Sequence, residues 1–308
     1  MSLSTDELSV NAKGGTELMK EALYQKMDPQ LMEHFHITAS RYRGAEEGKI
    51  ELYWLHDLPG DPESEHLANG GYNKFEKLIF VSHWQFQAYQ QRYGLPWYKC
   101  VVLQNAIEPI PSAKLNDGKI RLIYHTTPHR GLDILLPVFD RLCEKHDNIE
   151  LDVYSSFNAY GWPERDQPYE PLFEFARNHP KINYHGYQPN SVIREALSKA
   201  DIYAYPNTWQ ETSCISMMEA MSAGLEIVHP NYGALAETAA NWTAMYQWNQ
   251  DKRDHARQFY SVLDSTITNY PTEGTRSRLA SQKSYADIFY SWKLREMQWE
   301  HFLKGLVV

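Results

Sequence analysis

The chain has 308 residues, 43% of them hydrophobic, and a formal net charge of -9. That length allows two packed domains, and the acidic balance argues against nonspecific binding to nucleic acid or to anionic lipid, both of which need basic patches. Three cysteines (Cys100, Cys143 and Cys214) without CxxC spacing, 13 histidines without an HExxH pattern, an acidic start (MSLSTDELS) and no long apolar run predict a soluble cytoplasmic enzyme with no structural metal and no membrane insertion.

In chain order, the first feature is Lys13-Gly14-Gly15-Thr16-Glu17, leading into a helical run over 18–27. The glycines let a backbone approach a ligand closely and the helix start favours anions, although a lone Gly-Gly is more often only a turn. Strands are predicted over 35–39 and 50–56. His56 lies just past the end of the second, on the edge where α/β sheets bind ligands; the competing reading is a loop or capping histidine. A strand over 77–82, a helix over 83–93 stopped by Gly94, and a strand over 101–107 complete the first half.

Pro109, Pro111, Asn116 and Gly118 punctuate a linker. A strand over 119–124 and a helix over 131–145 follow, with His125, Thr126 and Arg130 in the loop between them. Arg130 brings a permanent charge and a forked donor; the bland alternative is a surface charge at a helix start. A strand over 151–154, a charged Pro-containing loop over 163–169, a helix to 177, a strand over 182–187 ending at Tyr187 and a helix over 191–199 come next. The most informative stretch is 200–237. It reads as a strand (201–205), a turn at Pro206-Asn207, a polar loop holding Glu211, a helix through Glu219, a Gly224 stop and a second strand (226–229). Thr212-Ser213 is placed at the helix start, where backbone N–H groups and the positive dipole end suit a diphosphate. As continuous helix, the segment would set Glu211 and Glu219 roughly 12 Å apart. The tail over 284–303 carries Ile288, Phe289, Trp292, Trp299 and Leu303 at helical spacing, a stripe that predicts core.

The Glu211-x7-Glu219 pair, the run Glu219-Ala220-Met221-Ser222-Ala223-Gly224 and the later Gly233 and Glu237 resemble the retaining glycosyltransferases of family 4. The resemblance implies the α/β GT-B fold: two Rossmann-like domains with a cleft between them and a C-terminal helix that crosses back to the first. On this chain it implies a shortened acceptor-side domain over 1–110, a nucleotide-sugar domain over 111–270 and the crossing helix over 271–308. It implies His56, Glu211 and Arg130 as catalytic, and Gly14, Gly15, His125, Tyr187, Thr212, Ser213, Cys214, Ile215 and Glu219 as donor-binding, with Glu211 on the sugar hydroxyls, Glu219 on the ribose and Tyr187 beside the base. The sequence departs from the family at the first of its two usual basic residues, where His125 or Thr126 stands, and at the hinge, where Ala106 replaces glycine. The activity implied is metal-independent transfer from a UDP- or GDP-linked sugar, with no cofactor, to a glycan or other hydroxyl acceptor. A nucleotide-sugar epimerase, a phosphorylase and a noncatalytic nucleotide-sugar-binding protein are the alternatives.

Overall fold

The structure, a computed structural model, describes residues 14–307; Lys13 and the acidic lead-in fall outside the described residues. In the first half, α1 (Gly15–Lys26) and α2 (Pro29–Met32) precede β1 (Phe35–Ala39), β2 (Ile50–Leu55), β3 (Lys77–Phe80), α3 (His83–Tyr93) and β4 (Cys100–Val102). The strands form a parallel sheet in the order β1-β2-β3-β4. Because side chains alternate across a strand, Leu52 and Trp54 of β2 pack on one face with Met19, Leu23 and Ile37, while Tyr53 and Leu55 pack on the other with Phe75, Leu78 and Phe80. Both faces are covered, as parallel sheets require. Helix α3 starts where the Ser82 hydroxyl accepts from the Gln85 N–H at 3.0 Å and stops at Gly94, with φ +61°, so both ends carry the residues their geometry needs.

The second half runs β5 (Ile120–Tyr124), α4 (Leu132–Cys143), β6 (Ile149–Val153), α5 (Glu170–Asn178), β7 (Ile182–Tyr184), α6 (Asn190–Lys199), β8 (Ile202–Ala204), α7 (Ile215–Ser222), β9 (Glu226–Pro230), α8 (Leu235–Ala239), β10 (Ala244–Tyr246) and α9 (Lys252–Thr268). Its parallel sheet has the order β10-β9-β8-β5-β6-β7. Strand order therefore reverses between β5 and β8, and the crevice beyond their C-terminal ends is where open α/β sheets take ligands. The loops that follow β5 and β8 are the ones carrying Arg130 and Glu211.

The last helices are α10 (Glu273–Phe289) and α11 (Trp292–Lys304). Here the expectation of one apolar stripe fails. The helix breaks at Tyr290-Ser291, where the Ser291 hydroxyl accepts from the Leu294 N–H and starts α11, and Ile288 and Phe289 are exposed. Trp292, Trp299 and Leu303 are buried, in the cluster of the first sheet, with the Trp299 ring 4.9 Å from that of Trp54. Helix α11 thus crosses back onto the first half. The two segments that pass between the halves lie side by side: the Ile107 N–H donates to the Tyr290 carbonyl at 2.7 Å, and the Trp292 N–H to the Ile107 carbonyl at 3.1 Å. Two Rossmann-like halves with a returning C-terminal helix make the GT-B architecture. No helix among the described residues is long and apolar enough to cross a membrane.

Candidate active site

Sharp turns place the loops at the switch point. Gly131, at φ +106°, starts α4 so close to the β8 end that a Cβ there would sit 2.1 Å from the Pro206 carbonyl oxygen; only glycine fits. This contact sets the preceding residue, Arg130, beside the loop after β8. Its guanidinium bonds the Glu211 carboxylate, which also accepts from the Tyr205 hydroxyl at 2.6 Å. The second guanidinium branch points to the Tyr160 hydroxyl at 3.5 Å. Burial, the largest single influence, would lower the Arg130 pKa, but the Glu211 charge together with Tyr160 and Tyr205 outweighs it and holds the pKa well above the ordinary value.

Glu211 is fixed by its backbone as well. It forms an isolated parallel bridge with Gly233, and the Ala234 N–H donates to its carbonyl at 2.8 Å. A Cβ on Gly233, at φ +64°, would fall 2.4 Å from the Glu211 carbonyl oxygen. Gly233→Ala is therefore expected to cost roughly 1–3 kcal/mol of stability by overpacking and left-handed strain and to displace Glu211; urea unfolding measures the first, and an unchanged midpoint would show that the loop adapts freely. This bridge holds Glu211 in the loop before the helix, where the sequence places it, and corrects the helix start expected at Thr212-Ser213. Helix α7 begins only at Ile215, with Cys214 as its cap residue, so the helical spacing between the two glutamates does not apply.

Thr212 faces the first half. Its hydroxyl donates to the His56 carbonyl at 2.7 Å and its own carbonyl accepts from the Ser82 hydroxyl at 2.6 Å. His56 follows β2 directly, its ring 4.6 Å from that of Trp54, and burial lowers its pKa to about 3, so the imidazole is neutral at ordinary pH. His125 lies under the start of α7: its ring is 4.7 Å from Tyr203, whose hydroxyl is 3.0 Å from the Ser216 Oγ, itself 3.3 Å from the Cys214 Sγ. Burial pushes His125 to about 3 as well, so it brings no charge in place of the missing base, and burial raises the Cys214 thiol to about 12, which leaves it un-ionised.

Across the cleft, Gly14 caps α1 without a side chain; a Cβ on it would lie 2.9 Å from the Tyr160 ring, and one on Gly15 would lie 3.1 Å from Ile215 Cδ1. The starts of α1 and α7 thus face each other, one from each half. Two positive dipole ends and the Arg130 guanidinium converge there. Shielded polar atoms without a protein partner gather at the same place: His56 Nε2, His125 Nε2, Arg130 Nε and Ser213 Oγ. Buried polar atoms are usually paired, so this concentration marks a polar ligand position.

Glu219, about one turn into α7, is buried. Its Oε1 accepts from Arg194 at 3.0 Å and from Asn190 at 3.4 Å, while no group among the described residues bonds its Oε2. Burial raises its pKa and Arg194 works against that rise. Tyr187 stands apart, exposed just past β7, two strands from the switch point. Sequence reading missed Arg194, Asn190, Tyr205 and Tyr160, for which no local pattern exists, and the role of Glu237, whose two carboxylate oxygens accept from the His83 and Trp84 N–H groups at 2.9 Å each. That carboxylate of the second half caps α3 of the first.

The family model for glycosyl transferases group 1 matches residues 107–269. The GPI3 subunit of phosphatidylinositol N-acetylglucosaminyltransferase from Saccharomyces cerevisiae (strain YJM789) is 22% identical over 143 residues, 45% of this chain and 30% of that protein; the chain therefore spans under a third of that relative's length. Among solved structures, a glycosyltransferase from Rickettsia africae ESF-5 is similar with a TM-score of 0.71 at 14% identity, over 98% of this chain and 84% of that one. Anabaena Alr3699/HepE in complex with UDP-glucose is similar with a TM-score of 0.62 at 15% identity, over 83% and 72% respectively. At such identities the structures speak for fold alone, whereas the sequence model covers more than half of the chain, from the linker through α9, and on that ground the protein belongs to the group 1 glycosyl transferases.

Proposed function

We propose that the protein is a retaining, family 4 type glycosyltransferase that moves a sugar from a nucleotide-diphosphate sugar to an acceptor hydroxyl, with a soluble or protruding glycan as acceptor. The observation that carries this reading is the convergence of the α1 and α7 starts with Arg130, beside the unpartnered polar atoms of both halves. Fixed dipoles and a guanidinium are suited to the charge that grows on a departing diphosphate. UDP is the favoured nucleotide because HepE, a structural neighbour, was solved with UDP-glucose. In the reaction the bond from the anomeric carbon to the diphosphate oxygen breaks, and the acceptor oxygen bonds on the same face. The acceptor proton passes to the leaving phosphate, so no carboxylate nucleophile is required. Glu211 holds sugar hydroxyls, His56 orients the sugar or acceptor as a neutral ring, and the free Oε2 of Glu219 takes a ribose hydroxyl.

A thermal-shift panel of nucleotides and nucleotide sugars tests the reading, since a ligand bound only by the native state raises the melting temperature. UDP and UDP-sugars are expected to raise it, and product analysis then separates transfer from epimerisation. No shift with any nucleotide diphosphate would overturn the proposal. Glu219→Gln, which keeps the size of the side chain, is expected to weaken UDP binding by ~1–3 kcal/mol through loss of a charge-assisted hydrogen bond; unchanged affinity in calorimetry would remove Glu219 from the ribose. With Arg130 and two helix starts on the diphosphate, turnover is expected to survive EDTA. Loss of activity restored by magnesium or manganese would assign the diphosphate to a cation instead.

A further inference from the structure

The β5–β8 crevice is not the only concavity of the second half. A cavity of about 530 Å³ lies at the opposite edge of the sheet, beside Ile120, Asp201 and Gly224, which start or precede β5, β8 and β9. In a chain of net charge -9, its lining carries Lys114, Lys119, Arg276 and Lys283 against the single carboxylate of Asp201. That carboxylate is already engaged, accepting from the Arg121 N–H at 2.8 Å and the Tyr270 hydroxyl at 2.7 Å. Lys283 is held by the Ile110 and Ser222 carbonyls at 2.5 and 2.6 Å, and Lys119 by Glu150 at 2.8 Å.

Two cations keep unused donors. An ammonium has three N–H groups, and Lys114 gives one, to the Ala200 carbonyl. It is largely enclosed, and burial lowers its pKa to about 8, which leaves it mostly charged at neutral pH. The Arg276 side chain makes no hydrogen bond or ion pair among the described residues, its charge lying near the Tyr270 hydroxyl, and apolar Leu115 and Leu279 line the same cavity. We propose that this cavity is a second ligand site, separate from the cleft, for a small organic anion: a phosphate or carboxylate between Lys114 and Arg276, on an apolar body that lies over Leu115 and Leu279. The volume falls within the range of small-molecule sites. Lys114 and Leu115 belong to the linker between the halves, and Arg276 and Leu279 to α10, which runs into the crossing helix α11. An occupant would cross-link the two segments that pass between the halves and so bias their closure.

The site is independent of the transferase reading and is tested on the full chain by titration calorimetry with phenyl phosphate, benzoate and inorganic phosphate. Phenyl phosphate or benzoate is expected to bind one per chain, the tighter of the two identifying the anion, and inorganic phosphate to bind more weakly for want of an apolar body. Arg276→Ala, at an exposed residue whose side chain has no hydrogen bond or ion pair to lose, is expected to leave the melting temperature unchanged and to weaken binding about tenfold, the loss of one charge-assisted contact. Lys114→Met is expected to do the same to binding, and Glu219→Gln, in the cleft, to leave it intact. The absence of saturable heat with both aromatic anions would overturn the proposal, as would binding that Glu219→Gln abolishes and Arg276→Ala spares.

Discussion

Arg130→Ala is expected to lower turnover about 10²–10³-fold, the scale on which a single preorganised stabiliser of transition-state charge acts, and to destabilise the fold by roughly 3–5 kcal/mol. Both effects follow from one arrangement. The guanidinium pairs with Glu211, which is 5% exposed and has the Tyr205 hydroxyl as its other side-chain donor. Removing the cation strands a carboxylate in a site that cannot solvate it. Arg130→Lys keeps the charge but loses the fork that reaches Glu211 and Tyr160 together, so it is expected to restore much of the stability and less of the turnover. Urea unfolding and initial rates, taken at a temperature where each variant is folded, separate the two losses. An Arg130→Ala protein with wild-type stability, or with turnover within a few-fold of wild type, would remove Arg130 from the role given to it.

The sequence made the local devices legible. Gly94 stops α3, and His56 stands one residue past β2, as its place after an apolar run indicated, whereas Ser82, read as the end of a strand, is the cap of α3. The strand, loop, helix and strand around Glu211 and Glu219 were readable because each element carries its own periodicity and stop. What the sequence hid was set by tertiary contacts. Nothing local shows that Glu211 pairs with Gly233, or that Thr212 is held by His56 and Ser82; those contacts keep 211–214 out of the helix that propensity alone would extend. Arg194 reaches Glu219 from α6, across a helix-to-helix contact with no sequence spacing to announce it. The tail shows the same limit. Helical spacing marked Phe289 and Trp292 alike as core, yet the break at Ser291 leaves the first exposed and buries the second.

Stability is expected to fall steeply as the pH drops below about 6.5, before the carboxylates titrate. Burial lowers the pKa of His56 and His125 to about 3 and of His229 to about 4, whereas the unfolded chain protonates its histidines near 6.5. Between these values the unfolded state holds more protons, so stability rises with pH across the window and is lost as pH falls through it. Each group contributes at most about 1.4 kcal/mol per pH unit. His229 shows the physical cause: its Nδ1 faces the Pro230 carbonyl at 2.9 Å, which can only accept, so Nδ1 carries the proton and Nε2 accepts from the Thr243 hydroxyl at 2.6 Å. A second proton, on Nε2, would reverse that bond and leave an unsolvated cation in the core, and this burial is what lowers the pKa. Asp57, Asp201 and Glu219 have the opposite sign, since burial raises their pKa, and they offset part of the loss as the pH approaches the ordinary carboxylate range near ~4. From pH 6.5 to 5.5, where the unfolded imidazoles are only part-protonated, each of the three histidines is expected to remove about 1 kcal/mol and together about 3 kcal/mol, a large share of the ~5–15 kcal/mol typical of a folded protein. Urea midpoints at pH 7.5, 6.5 and 5.5 measure it, and His229→Gln should remove about 1 kcal/mol of the loss between pH 6.5 and 5.5 if the groups act independently, His129 being lowered to about 4 as well. Midpoints that stay level down to pH 5.5 would mean that these imidazoles are already charged, or reach solvent, in the native state.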